Sequence, residues 1–393
     1  MAAVRVLLVS HGLMDCLGGS AISEARLVHS LQSTCEVTVL CRANEAEPSF
    51  IAKHQLKHVI TFHPAELITA YLYGEHWFNK LLASTDVVHV NGHWRWEHYL
   101  IAKNCVKRLL PYVVHPRGMY IVNDRRPVLK RAFNLVCGNF VAKRASKIIA
   151  LSRFEIEQFQ RYPVDADQVE VIPNGIDLDP GIDARAVSSL VAPPHEYFLY
   201  LGRISARKNL GFLIEAFAGY RGEGGTRGLR LMGPSEPKYL EEVKERIRSF
   251  GVENEVRIVE PAYGEEKWEA VARATAVIYP SVDEAFGRVP FEAILGGSAP
   301  IIPRKSGGAE YLEKFLPECV FEDGNLNSLV KVMQTVECDC VALESRGLVA
   351  ARNWIKTDLN WEKIASRVEK LYESVLSQGQ ARTVQPFLSS VGH

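Results

Sequence analysis

The chain has 393 residues, 47% hydrophobic and 23% charged, with 46 basic and 46 acidic side chains. Zero formal net charge argues against a dedicated nucleic-acid binder, which is basic overall, and at roughly 150 residues per domain the length suits two or three cores. The eight cysteines form no Cys-x-x-Cys pair, so free thiols in a reducing cytoplasm are expected. No apolar run approaches the ~18 residues that span a bilayer.

Val4–Ser10 is apolar, too short for the core of a signal peptide, and reads as a first strand. His11-Gly12 and Gly18-Gly19-Ser20 follow, then an amphipathic stretch over Ala21–Leu31 and a second strand over Glu36–Cys41. That is a βαβ opening, but its glycines do not spell Gly-x-Gly-x-x-Gly, so nicotinamide binding has little support. Asp86–Asn91 and Pro111–His115 read as buried strands, continued by Gly92-His-Trp-Arg-Trp96 and by Pro116-Arg-Gly-Met119. A parallel sheet presents such residues at its carboxyl edge. His93, Trp94, His115 and Arg117 are therefore expected to face an interdomain cleft.

Arg125, Arg126, Lys130, Arg131, Lys143, Arg144 and Lys147 cluster around the apolar stretch Val128–Val141. The preferred reading is a solvated basic face beside a stripe that faces the core. Docking on an anionic membrane or a phosphorylated lipid acceptor is the alternative. Lys147–Ser152 reads as a strand, and Ser152 with Glu155 as a capping box that starts the next helix. Another strand lies within Glu170–Asp177. Asp177-Leu-Asp179 fits an Asp-x-Asp pattern, but so short a spacing arises by chance and sits in a turn, so it is rejected as a metal site. Asp179–His195, with Pro180, Pro193 and Pro194, reads as a linker.

Glu196–Leu201 opens a new strand that runs into Gly202-Arg-Ile-Ser-Ala-Arg-Lys-Asn209 and a helix over Leu210–Ala218. A glycine turn with cations before a helix N-terminus suits a diphosphate: backbone N–H groups and the helix dipole meet the anion, and Arg203 and Lys208 add full charges. Arg207 is a third cation of less weight. Strands follow over Leu229–Pro234, which ends its run at Gly233, and over Glu255–Glu260. The apolar run Ala276–Tyr279 then ends at Pro280. Beyond Gly287 a helix opens at Val289 with Pro290 in its first turn. Glu284 falls in the strand-to-helix loop and Glu292 in the first helical turn, so both carboxylates sit at the carboxyl edge of a sheet, where open α/β folds bind ligands. Ala299–Pro303 is a further strand, and Ser306-Gly-Gly-Ala-Glu310 a second glycine turn able to bind an anion. Trp361 and Leu371-Tyr372 fall at helical spacing within Trp354–Leu376, and residues after Gln378 read as a loose tail.

The Glu284-x7-Glu292 pair, the Gly202-Arg203…Lys208 turn, Ile172-Pro-Asn-Gly-Ile-Asp177 and Pro116-Arg-Gly-Met119 together resemble glycosyltransferase family four. These are retaining, nucleotide-sugar-dependent enzymes of the GT-B fold, and the resemblance covers about residues 4–376. It implies an α/β chain of two Rossmann-like, doubly wound parallel-sheet domains facing a cleft. The acceptor-binding domain would be 1–180, the donor-binding domain 195–360, with a helix over 361–377 returning to the first domain and a tail over 378–393.

The resemblance further implies that Arg203 and Lys208 hold the donor diphosphate, Glu284 the donor sugar and Glu292 the ribose. Gly18 and Gly19 would let substrate approach the first helix. Gly202, Gly233, Phe286, Gly287, Arg288 and Val289 would line the nucleotide, and backbone atoms near Pro261–Tyr263 would meet the base. Relatives carry His at the place of Arg117, so either His115 or Arg117 contacts the reacting sugar. Trp94 and Trp96 either stack on sugar rings or fill the core. The expected activity is hexosyl transfer, with retention and without metal or cofactor, from a UDP- or GDP-type sugar to a saccharide, lipid-linked or small-molecule acceptor in polysaccharide or glycoconjugate synthesis. A cytoplasmic location is expected, with peripheral attachment at the inner face of the membrane left open. Rival readings are a non-catalytic scaffold of a polysaccharide assembly complex, a sugar-nucleotide epimerase or phosphorylase on the same fold, and a dehydrogenase. A scaffold would be expected to lose some of Arg203, Lys208, Glu284 and Glu292, and all four are present.

Overall fold

The computed structural model describes residues 3–120, 126–178, 196–343 and 347–388. The linker expected over 179–195, and Arg125, lie outside them. The chain divides into two compact units, Met1–Gly175 with Trp361–His393, and Ile176–Asn360.

Unit 1 holds a seven-stranded sheet of β1 (Arg5–Val9), β2 (Glu36–Arg42), β3 (Val59–Phe62), β4 (Val87–Asn91), β5 (Tyr112–His115), β6 (Lys147–Ala150) and β7 (Val169–Val171). The order is β3-β2-β1-β4-β5-β6-β7 and every pair is parallel. Every residue of β4 and β5 is buried, as central strands covered on both faces must be, which is why they read as valine-rich runs with only His89, Asn91 and His115 as strongly polar members. β1 pairs with both β2 and β4. The chain reverses its winding direction there, so the loops leaving β1 and β4 part at the carboxyl edge.

The last helix, Trp361–Leu388, belongs to unit 1 and packs on the helix Gly19–Leu31. Tyr372 Oη lies 2.5 Å from His89 Nδ1, and Arg367 donates to the Val171 carbonyl at 2.6 Å. A Cβ on Gly175 would lie 2.4 Å from the Trp361 ring, so only glycine fits where the chain leaves this unit. The helix continues to Leu388, past residue 378 where the tail was set; Gln380, Ala381 and Arg382 are all good helix formers.

Unit 2 holds a six-stranded parallel sheet of β8 (Tyr197–Leu201), β9 (Gly228–Met232), β10 (Val256–Val259), β11 (Ala274–Ile278), β12 (Ala299–Pro303) and β13 (Val320–Phe321), in the order β10-β9-β8-β11-β12-β13. The winding reverses between β8 and β11. Leu199, Val271, Val277 and Ala293 fill the core beneath that point.

The basic stretch differs from expectation. Pro127–Phe133 is α-helical, Asn134–Gly138 forms a π turn, and Asn139–Lys143 resumes the α-helix. The inward face carries Asn134, Gly138, Val141 and Ala142. The Asn134 amide meets His93 Nε2 at 2.9 Å and donates to Tyr162 Oη at 3.0 Å. A Cβ on Gly138 would lie 2.3 Å from Asn134 Oδ1 and 2.7 Å from His93 Nε2. With those residues filling the contact, the stripe expected to face the core is turned out: Val128, Leu129, Leu135 and Val136 are 77, 62, 81 and 69% exposed. Among the described residues no helix is long and apolar enough to cross a membrane.

Candidate functional site

In unit 2 the loops leaving β8 and β11, the two strands at the reversal, bring Lys208, Tyr279 and Glu284 together. Tyr200 Oη donates to the Arg203 carbonyl at 2.7 Å, pinning the turn after β8. Gly202 and Gly233 end neighbouring strands with φ of 145° and 147°. A Cβ on Gly233 would lie 2.1 Å from the Gly202 carbonyl oxygen, so the two turns meet backbone to backbone. Asn209, in left-handed conformation, then starts the helix Leu210–Gly222.

Lys208 Nζ donates to Glu284 Oε2 at 2.8 Å and to Tyr279 Oη at 2.7 Å, and Tyr279 Oη donates to Glu284 Oε2 at 2.8 Å. Burial pushes the Glu284 carboxyl up, but the Lys208 charge and hydrogen bond, with Tyr279 and Arg207, hold it below its ordinary value. Burial and the Glu284 charge push the Tyr279 phenol well up. Arg203 and Arg207 lie on the exposed side of the same turn.

Glu292 sits in the first turn of the helix Val289–Leu295, with Pro290 at its start. Lys267 donates to its Oε2 at 2.7 Å, Arg288 reaches its Oε1 at 3.4 Å, and Arg288 also donates to Asp177 at 3.1 Å. Burial again works against ionisation, and Lys267 and Arg288 overcome it, holding this carboxyl below its ordinary value. Between the two acids Phe286 is buried and stacked on Phe291 at 4.6 Å, and Val289 is partly buried. A Cβ on Gly287 would lie 2.9 Å from the Tyr279 ring. The second glycine turn closes on this loop: Gly307 N donates to the Glu284 carbonyl at 2.9 Å, and Ser306 caps its helix through Ala309 N.

In unit 1, Gly18 caps the helix Gly19–Leu31 with φ of 69°, and nothing lies within 4 Å of where a Gly19 Cβ would be. Arg117 is buried with φ of 53°. It donates from Nε to Asn91 at 2.8 Å and from Nη1 to Asn174 at 3.0 Å, while Nη2 is buried without a hydrogen-bond partner among the described residues. Burial draws the guanidinium down to about 10, against the pull of Glu24 and Glu155. Both ring nitrogens of His115 are likewise unpartnered, and burial and Arg117 lower it well below the ordinary range. Burial raises both Glu24 and Glu155 to about 7. Ser152 caps its helix, but Glu155 does not complete the box; it accepts instead from Leu151 N and Gly118 N, each at 2.6 Å, and so ties down the turn carrying Arg117.

His93 and Trp94 take structural surroundings. His93 is 2% exposed, edge-on to Tyr120 at 4.6 Å and Tyr162 at 5.2 Å, and the Trp94 ring carries Lys130 Nζ at 4.8 Å. A groove of about 660 Å³ lined by Leu110, Lys147 and Asp167 opens at the amino ends of β5 and β6, the opposite edge of the sheet from Arg117. Among the described residues no group of three or more His, Cys, Asp or Glu is placed to hold a metal ion. Tyr279 and Lys267 are the site residues that sequence reasoning passed over. Tyr279 ends an apolar run and looks like core, and nothing in the sequence ties Lys267 to Glu292 across 25 positions.

Two family models match the chain: Glycosyltransferase Family 4 over residues 17–180 and Glycosyl transferases group 1 over 185–346. The D-inositol 3-phosphate glycosyltransferase of Jonesia denitrificans is 30% identical over 182 residues, 43% of this chain and 43% of that protein. The GDP-mannose:cellobiosyl-diphosphopolyprenol alpha-mannosyltransferase of Komagataeibacter xylinus is 24% identical over 234 residues, 59% of this chain and 57% of that protein. The matched part thus spans less than two thirds of these curated relatives. The crystal structure of Anabaena HepE in complex with UDP superposes with a TM-score of 0.71 at 18% identity, covering 94% of this chain and all of that one. With one family model on each half of the chain, and the two sheets superposing on a GT-B structure, the chain belongs to glycosyltransferase family 4 and has the GT-B fold.

Proposed function

We propose that the chain moves a glycosyl group from a nucleoside-diphosphate sugar to an acceptor, with the anomeric configuration retained. The observation that carries this is the Lys208–Tyr279–Glu284 cluster at the β8–β11 reversal. An ammonium has three N–H donors; two are directed at Tyr279 and Glu284, and the third is left for a diphosphate oxygen. Departure of the nucleoside diphosphate builds negative charge, and in this proposal Lys208, Arg203 and the helix behind them stabilise it. Glu284 keeps Oε1 for the sugar hydroxyls. Glu292, held ionised by Lys267 and Arg288, has lone pairs left for the ribose. The acceptor attacks from the face that the diphosphate leaves, and the cations take the place of a metal.

In unit 1 the same proposal gives Gly18, Gly19, His115 and Arg117 to substrate sugar and phosphate. The unpartnered Arg117 Nη2 supports that assignment. UDP or GDP is the proposed nucleotide; HepE is crystallised with UDP and the Komagataeibacter enzyme is named for GDP-mannose. The acceptor is proposed to be a saccharide, a lipid-linked sugar or a small molecule. The test is nucleoside diphosphate release from UDP- and GDP-sugars with added acceptors and a chelator present. Release that survives the chelator supports the proposal. Release abolished by chelator and restored by Mg²⁺ would overturn the metal-free mechanism.

A further inference from the structure

Residues 126–147 carry Arg126, Lys130, Arg131, Lys143, Arg144 and Lys147 and no aspartate or glutamate. Along the same run Val128, Leu129, Ala132, Leu135 and Val136 recur at i, i+1, i+4, i+7 and i+8, the spacing of a single helical face. On a surface helix that face ordinarily turns to the core. Here it is exposed along its whole length, and Asn134, Gly138, Val141 and Ala142 make the inward contact instead. Folding of unit 1 therefore leaves this apolar stripe uncovered, and contiguous apolar surface rimmed by polar groups marks an interaction site. Arg126 and Arg131 are exposed within the same helical run, and Lys143 and Arg144, exposed where it ends, share the groove with Asp165 and Asp167. Lys130, held over the Trp94 ring, adds charge along one flank.

We infer that this face docks on an anionic lipid bilayer. The helical run lies in the plane of the interface, with Val128, Leu129, Leu135 and Val136 at the acyl boundary and the cations among headgroup phosphates. A second copy of the chain is the other simple occupant. Pairing about a two-fold axis sets each face against itself, and here that brings Arg126, Lys130 and Arg131 onto the same three cations. Charge complementarity thus selects the bilayer. The inference uses no residue of the nucleotide site and stands apart from the transferase proposal.

The test is co-sedimentation of the full chain with vesicles of phosphatidylcholine, alone or mixed with phosphatidylglycerol. Binding is expected to the anionic vesicles, weakened by salt. The double substitution Leu129→Glu with Leu135→Glu is expected to weaken it by about tenfold or more, since it sets charge at the acyl boundary. Arg126→Glu with Arg131→Glu removes the preference for phosphatidylglycerol, by about fivefold for each cation lost. Leu129→Ile with Leu135→Ile, which keeps the surface apolar, retains binding and guards against a folding defect. Absence of wild-type binding to the anionic vesicles would overturn the inference, as would undiminished binding by the double Glu variant. So would a wild-type dimer, seen by light scattering, that the double Glu variant dissociates. Vesicle binding without any nucleotide binding would support docking and count against the transferase proposal alone.

Discussion

Replacing Lys208 with alanine separates its proposed chemical role from its structural one. The Lys208 and Glu284 side chains are 22% and 27% exposed, so their 2.8 Å pair lies between a surface ion pair and a buried one. Exposed pairs contribute about 0–1 kcal/mol and broken buried ones cost about 3–5 kcal/mol. Loss of this one is therefore expected to cost about 1–2 kcal/mol, with Tyr279 still donating to Glu284. At about 2–4 °C per kcal/mol for a unit of this size, Tm falls by only a few degrees. Loss of a preorganised donor to the leaving group costs on the order of 3 kcal/mol in the transition state, so turnover falls by about two orders of magnitude. The substitution also removes the largest opposition to burial of Glu284, leaving only Tyr279 and Arg207, so its carboxyl rises and the acid limb of the residual rate moves to higher pH. The assay is nucleoside diphosphate release across a pH series, with a thermal melt on each sample. A folded Lys208→Ala protein that keeps turnover within a few-fold of wild type would refute the diphosphate role.

Tyr279→Phe keeps the ring under Lys208 but removes the hydroxyl shared with Glu284, and turnover is expected to fall about tenfold with little change in Tm, read by the same assay. Gly233→Ala forces a Cβ to 2.1 Å from the Gly202 carbonyl at a φ of 147°; a loss of several kcal/mol in denaturant unfolding, together with loss of nucleotide binding, is expected. Glu24 bears on pH. Its folded-state pKa of about 7 lies above its ordinary 4.5, so the folded protein binds more protons than the unfolded chain between those values, and stability falls as pH rises through that window. The loss approaches ~3 kcal/mol at most. Glu24→Gln should flatten that part of the Tm profile, raising Tm at pH 8 relative to wild type more than at pH 5.

Much of the fold was legible because central strands of a parallel sheet are buried on both faces. β4, β5, β8, β11 and β12 therefore show as predominantly apolar runs closed by Gly, Pro or polar turns. Edge strands give less away: Ile60 and Thr61 of β3 are exposed, and that strand passed unread. Glu284, Glu292, Arg203 and Lys208 were legible as charges at turns beside such runs. The hydrogen bonds that join Lys208 to Tyr279 across 71 positions were not, because nothing local marks a long-range partner. Hydrophobic period has a similar blind spot. The spacing of Val128, Leu129, Leu135 and Val136 is the same whether the stripe meets a core or solvent, and the buried Asn134–His93 contact decides the outcome. Glu155 shows the same limit at short range, where a helix-capping sequence gave its carboxylate instead to Leu151 N and Gly118 N.

The measurement closest to the central claim is a thermal-shift panel of UDP, GDP, ADP and TDP against the wild type and Arg203→Ala. A rise in Tm with one base, lost in the variant, is predicted, because a nucleoside diphosphate bound only by the folded state stabilises it by mass action. A folded wild-type sample that shifts with none of the four would contradict the account and favour a non-catalytic scaffold.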